Sequence, residues 1–181
     1  MNVELMKAAN LFLIGYRCTG KSSVGQSLAT KLGWPFIDTD SLLVSESGLS
    51  IKEVVDTCGW QAFRRLEHTA LQQVCAMDRQ VVATGGGIVL DAGNVELMKE
   101  SGRIIWLRAS PATIKTRMVQ DQDSVAFRPA LTSKDRLAEI EETLAKREPL
   151  YQGAMDFAVD TDYHGVDEIC DVIIGNLKAM D

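Results

Sequence analysis

The stretch GYRCTGKSS, Gly15–Ser23, constrains this chain more than any other. A glycine, four residues and then Gly-Lys-Ser is the spacing of a phosphate-binding loop. Its flanks suit that reading, because the apolar run LFLI precedes it and helix-patterned residues follow. In such a loop, successive backbone N–H groups and a helix N-terminus surround a polyphosphate. This reading makes Gly15, Arg17, Cys18, Thr19, Gly20, Lys21, Ser22 and Ser23 the nucleotide-binding set. Lys21 would reach the terminal phosphates, and the Ser22 hydroxyl would ligate Mg2+.

The rest of the chain alternates strands with helices. Five apolar segments read as strands: Leu11–Ile14, Pro35–Asp38, Val81–Thr84, Arg103–Arg108 and Phe157–Thr161. Helical stripes lie between them: Val24, Leu28 and Leu32 with Gly33 as a stop; Phe63, Leu66, Ala70 and Val74; Leu137, Ile140 and Leu144 with Thr132 or Ser133 as cap; Ile169, Ile173 and Leu177. Alternation of this kind predicts an α/β fold, a mostly parallel sheet covered on both faces. Ligands then sit beyond the carboxyl ends of the strands. Val119–Asp135 is polar and aperiodic, and a loop of that length in a compact domain suggests a lid.

At 181 residues, 46% of them hydrophobic, one packed domain is expected. The net charge of -6 disfavours a surface built for nucleic acid, and no apolar run approaches the roughly 20 residues that cross a bilayer. The first ten residues lack the layout of a secretory signal, and the four cysteines form no C-x-x-C pair. A cytoplasmic enzyme with reduced thiols is the expectation.

Four further motifs carry chemistry. FIDTD ends a strand in Asp38 and Asp40; if the chain stays extended, both carboxylates face one side, one for Mg2+ and one for a proton. In AFRRLEH, Arg64 and Glu67 are one helical turn apart. They are either a solvated ion pair or a carboxylate steadying an arginine fork that clamps an anion. ATGGGIV sets Gly85, Gly86 and Gly87 directly after a strand, allowing a ligand close approach to exposed N–H donors, or simply making a tight turn. Arg128 precedes Pro129 in the expected lid, where it can stabilise a transferring phosphoryl group. Arg147 falls on the apolar stripe of its helix, where it needs an anionic partner or snorkels along the core edge.

Taken in order, GYRCTGKSS, FIDTD, AFRRLE, ATGGG, FRPAL and KREPLY resemble the shikimate kinases, over about Leu11 to Thr161. The resemblance implies a three-layer α/β/α P-loop kinase fold with a five-stranded parallel sheet in order 2-3-1-4-5. It implies a single domain over 1–181, with a substrate-binding subdomain at about 39–68 and a mobile lid at about 119–135. The activity implied is transfer of the γ-phosphate of ATP to the 3-hydroxyl of shikimate, with Mg2+, by a monomer. The family's shikimate-binding residues fall on Asp40, Arg64, Gly85–Gly87 and Arg147. Its Mg2+ side falls on Ser22 and Asp38, its lid arginine on Arg128, and the arginine lying against adenine on Arg117. Departures are Cys18 at a position commonly glycine, Trp60 where many members have glutamate, and Val55 in place of an aromatic residue.

Lys21, Asp40 and Arg128 are the expected catalytic set. An aspartate at its ordinary pKa of about 3.9 is a weak base toward an alcohol, so Asp40 is expected to orient the hydroxyl and accept its proton late. Two rivals remain at this point: a kinase for gluconate or a nucleotide, and a nucleotide-dependent switch, although no N-K-x-D guanine motif is present.

Overall fold

β1 (Asn10–Ile14) is buried along its whole length, as a strand covered on both faces must be. The computed structural model describes residues 9–120 and 136–180. Within β1, alternate side chains serve opposite cores. Leu11 and Leu13 join Val24 and Leu28 of α1 (Lys21–Leu32) and Ile169, Ile173 and Leu177 of α7 (Val166–Met180). Phe12 and Ile14 join Leu71 and Val74 of α3 (Ile51–Cys75), Met98 of α4 (Ala92–Ser101) and Tyr151 of α6 (Arg136–Ala154). The result is helices on each face of one sheet.

That sheet has five parallel strands in the order β2-β3-β1-β4-β5, with β2 at Phe36–Asp38, β3 at Val81–Ala83, β4 at Gly102–Arg108 and β5 at Phe157–Asp160. All five strands lie within two residues of their expected bounds. Because they are parallel, the phosphate-binding loop after β1, Asp38 at the end of β2 and the glycines after β3 emerge at one edge.

The helices follow local signals. Gly33, in the left-handed region at φ 68°, stops α1 as expected. α2 (Thr39–Ser47) and α3 share a small core of their own, Leu43, Ile51, Val54 and Phe63. Ser50 and Glu53 form a reciprocal capping box that starts α3, and Gly59 (φ 80°) breaks that helix midway.

Two expectations need correction. In α3 the buried stripe is Phe63, Glu67, Ala70, Leu71 and Val74, while Leu66 is 38% exposed. A carboxylate takes the inward position, and its partner in the site explains why. Val119 and Gln120 do not begin a lid; they end α5 (Pro111–Gln120). The remainder of the expected lid, Arg128 and the caps Thr132 and Ser133 lie outside the described residues.

Candidate active site

The loop between β1 and α1 requires glycine at two points. At Gly15 (φ 140°) a Cβ would lie 2.2 Å from the Leu107 carbonyl oxygen, and Gly20 starts α1 at φ 95°. Side chains cap α2, α3 and α4 through Asp38, Ser50 and Asp91, but among the described residues none caps α1. The first amides of α1 are therefore suited to an anionic ligand. Lys21, 8% exposed, donates to the Gly15 and Tyr16 carbonyls at 2.9 and 2.6 Å, and Thr19 donates to the same Tyr16 oxygen at 2.9 Å. These bonds hold the ammonium against the loop's frame.

Cys18 adopts φ 60°, the left-handed region that glycine enters without strain. Its side chain packs beside Tyr16, Ile114, Met118, Ile140 and Leu144, and its carbonyl accepts from Arg117 at 3.4 Å. A β-branched residue is the least tolerant of this backbone. Cys18→Val is expected to lower Tm by about 2–4 °C, while Cys18→Gly should not lower it; a pair of melting curves checks both. The Arg117 guanidinium also donates to Thr161 at Oγ1 and at the carbonyl, 3.0 and 2.5 Å, tying α5 to the end of β5 beside the loop.

Asp38 and Asp40 do not share an extended strand, contrary to expectation. β2 ends at Asp38, whose Oδ1 accepts from the Asp40 and Ser41 amides, so that Asp38 caps α2. An aspartate N-cap satisfies those orphan donors better than continued strand would. Its other oxygen, Oδ2, accepts from Ser22 Oγ at 2.8 Å. This pair supplies hard oxygen donors at the start of α1, the donor type Mg2+ takes alongside phosphate oxygens and water. Among the described residues no group of three His, Cys, Asp or Glu side chains is placed to hold a metal. Asp40, in the first turn of α2, instead faces Gly85: a Cβ there would lie 2.9 Å from Asp40 Oδ1.

Asp40 thus lines a pocket with Arg17, Arg64, Glu67, the three glycines and Arg147, closed on one side by Ile51, Trp60 and Phe63. The solvated reading of Arg64 and Glu67 fails here. Glu67 is 2% exposed and accepts from Arg64 Nη1 at 2.5 Å, so the pair is no solvated surface bridge. The Arg64 guanidinium also lies 5.1 Å from the Phe63 ring and 5.7 Å from the Trp60 ring, which fixes its plane. The glycines make room for these side chains. A Cβ on Gly87 would lie 2.4 Å from Arg64 Nη2, and one on Gly85 would lie 2.7 Å from Glu67 Oε1. None of the three has the positive φ of a tight glycine turn. The Gly85 amide donates to Thr39 Oγ1 at 3.2 Å, so that N–H serves the fold and is not presented to a ligand. Arg147, on α6, donates to the Gly86 carbonyl at 3.0 Å.

Burial raises the pKa of the Glu67 carboxyl, with neighbouring Arg64 opposing the shift. A folded-state pKa above the unfolded value means that ionised Glu67 weakens the fold as pH rises through it. Relative to the parent, Glu67→Gln should therefore gain stability with rising pH, and the difference should close toward pH about 4.3. Denaturant midpoints across pH 4–8 test the sign; a gain that grows toward acid would refute it.

Glu67 and Trp60, both marked in the sequence, line the pocket; beyond them it takes in Phe63 and Ile51, and Arg17 is shared between loop and pocket. The AFRRLE motif signalled Glu67. Ile51 gave no sequence signal, because only the fold of α2 onto α3 brings it inward.

The comparisons with known proteins agree on one group. The family model described as shikimate kinase matches residues 17–178. Shikimate kinase 2 of Photorhabdus laumondii is 45% identical over 141 residues, 78% of this chain and 80% of that protein. Shikimate kinase 2 of Yersinia pestis is 43% identical over 150 residues, 83% and 85% of the two. Shikimate kinase from Acinetobacter baumannii, solved in complex with shikimate, superposes with a TM-score of 0.90 at 26% identity, over 97% of this chain and 96% of that one. A gluconokinase from Sinorhizobium meliloti (TM-score 0.59, 18% identity, 96% and 93% covered) shares the fold alone.

Proposed function

The chain belongs to the shikimate kinase family, and from that premise we propose how its residues divide the work. The reaction transfers the γ-phosphate of ATP to the 3-hydroxyl of shikimate, with Mg2+. One observation carries the assignment of the acceptor site: two arginines, Arg64 and Arg147, flank the Gly85–Gly87 segment in a pocket that also holds Asp40, directly beside the phosphate-binding loop.

Shikimate presents one carboxylate and three hydroxyls. Arg64 and Arg147 hold the carboxylate, since a guanidinium fork suits a carboxylate and Glu67 keeps the Arg64 fork in place. Asp40 takes the 3-hydroxyl, orients its oxygen toward the γ-phosphorus and receives its proton late in the transfer. The Gly85–Gly87 segment completes the pocket by admitting the Arg64, Glu67 and Asp40 side chains around the carbocyclic ring. On the nucleotide side the loop residues Gly15 to Ser23 cradle the phosphates, Lys21 reaches the terminal ones, and Arg117 stands at the adenine side. Ser22 and Asp38, already joined by a hydrogen bond, would hold Mg2+, which would supply charge neutralisation at the phosphates. Arg128, on a lid that follows α5 at about 121–135, stabilises the transferring group. Residues 39–68 act as the substrate-binding subdomain of a single domain. The remaining parts of the proposal are a monomer that works in the cytoplasm; among the described residues no helix is long and apolar enough to cross a membrane.

One assay tests the acceptor: ADP release with ATP and Mg2+ against shikimate, gluconate, nucleoside monophosphates and no acceptor. Stimulation by shikimate alone is expected. Selective stimulation by gluconate, or hydrolysis independent of any acceptor, would replace this reading with a rival kinase or a nucleotide switch.

A further inference from the structure

The Gly86 carbonyl accepts two hydrogen bonds from one helix face. Arg147 Nη1 donates at 3.0 Å and the Tyr151 hydroxyl at 2.5 Å. The two residues are four apart on α6, so both leave the same side of the helix and converge on one oxygen. Tyr151 is fully buried, and its ring stacks on Trp106 of β4 at 5.7 Å between centroids and 25° between planes. Sheet packing therefore sets the position of its hydroxyl. Burial also pushes the phenol pKa up to about 12, which keeps it a donor at any working pH. On its other side Gly86 abuts the phosphate-binding loop: a Cβ there would lie 3.3 Å from the Gly15 oxygen and 3.4 Å from the Arg17 nitrogen.

We propose that Tyr151 is a positioning residue: its hydroxyl pins the Gly86 peptide, and through that shared carbonyl sets where the Arg147 guanidinium meets the acceptor's carboxylate. A carbonyl with a single donor can tilt, and an arginine bonded to it tilts with it. With the hydroxyl in place, both lone pairs of the oxygen are engaged and the peptide has one orientation. The inference rests on the assignment of Arg147 to the acceptor carboxylate.

The test is a double-mutant cycle in steady-state kinetics on the full chain: parent, Tyr151→Phe, Arg147→Ala and both together. Phenylalanine keeps the ring against Trp106, and a melting curve checks that the fold is intact. Tyr151→Phe is expected to raise KM for shikimate about fivefold to tenfold. KM for ATP should stay within about twofold, because the loop's own bonds from Lys21 and Thr19 hold the nucleotide side. In the Arg147→Ala background the same change should leave KM for shikimate within about twofold, since the group being positioned is gone. An equal rise in both backgrounds, or a parallel rise in both substrates' KM, overturns the positioning role in favour of a structural one. An effect of Arg147→Ala with none from Tyr151→Phe also overturns it and spares the carboxylate assignment. An unchanged KM in Arg147→Ala overturns both.

Discussion

Asp40→Asn is expected to fold and bind ATP as the parent does while turnover falls by a factor of about 10²–10⁴. The fold should survive because Asp38, not Asp40, caps α2, with Oδ1 accepting from the amides of Asp40 and Ser41. ATP binding should survive because the nucleotide loop is built from Gly15 to Ser23 and tied by Lys21 and Thr19. In the role proposed for Asp40, what the amide loses is the capacity to accept the 3-hydroxyl proton and the negative charge that orients that hydroxyl. Most of the remaining catalysis comes from alignment and from charge stabilisation at the phosphoryl group, so the residual rate should stay above background. Single-turnover phosphoryl transfer, with ATP affinity measured alongside, checks the split. Near-parental turnover would remove Asp40 from the reaction.

Arg64→Ala should show a double loss. As a clamp on the acceptor carboxylate, truncation is expected to cost about 2–5 kcal/mol in acceptor binding, read as a rise in KM for shikimate of roughly 30-fold or more. The same change strips Glu67 of its cation. Glu67 is 2% exposed and among the described residues its Oε1 already has no hydrogen-bond partner, so an unpaired carboxylate would remain in the interior. Stability should fall as well, and the two losses are separable. Adding Glu67→Gln to Arg64→Ala should recover stability without recovering KM. A variant that loses only a few tenths of a kcal/mol in binding would return Arg64 to the role of a peripheral ion pair.

Much of this was legible in the sequence because the relevant physics is short-range. A strand flanked by a glycine-rich loop and a helix is read within some twenty residues, and the five strands and the Gly33 stop emerged where local pattern placed them. The motif series indicated the acceptor class, because a phosphate loop, an arginine pair and three glycines have few common uses.

Burial was not legible, since it depends on partners far away in the chain. Spacing alone left Arg64 and Glu67 undecided between solvent and clamp. The fold excluded solvent by placing Gly85 and Gly87, some twenty residues on, where side chains would otherwise collide with the pair. For the same reason the inward position in α3 belongs to Glu67 and not Leu66. The reading of FIDTD failed on geometry, because an aspartate that can cap a helix ends the strand it closes; even so, Asp40 reaches the pocket from the helix. By itself the sequence determined the alternation of strands and helices, the phosphate loop and the set of residue types that gather at the strand ends, all of which local pattern dictates; the strand order came from the family resemblance. Only the tertiary structure decided that the glycines are there to admit Arg64, Glu67 and Asp40, and that Tyr151 and Arg147 share one carbonyl. Those facts depend on close packing between segments that meet only once the sheet is complete.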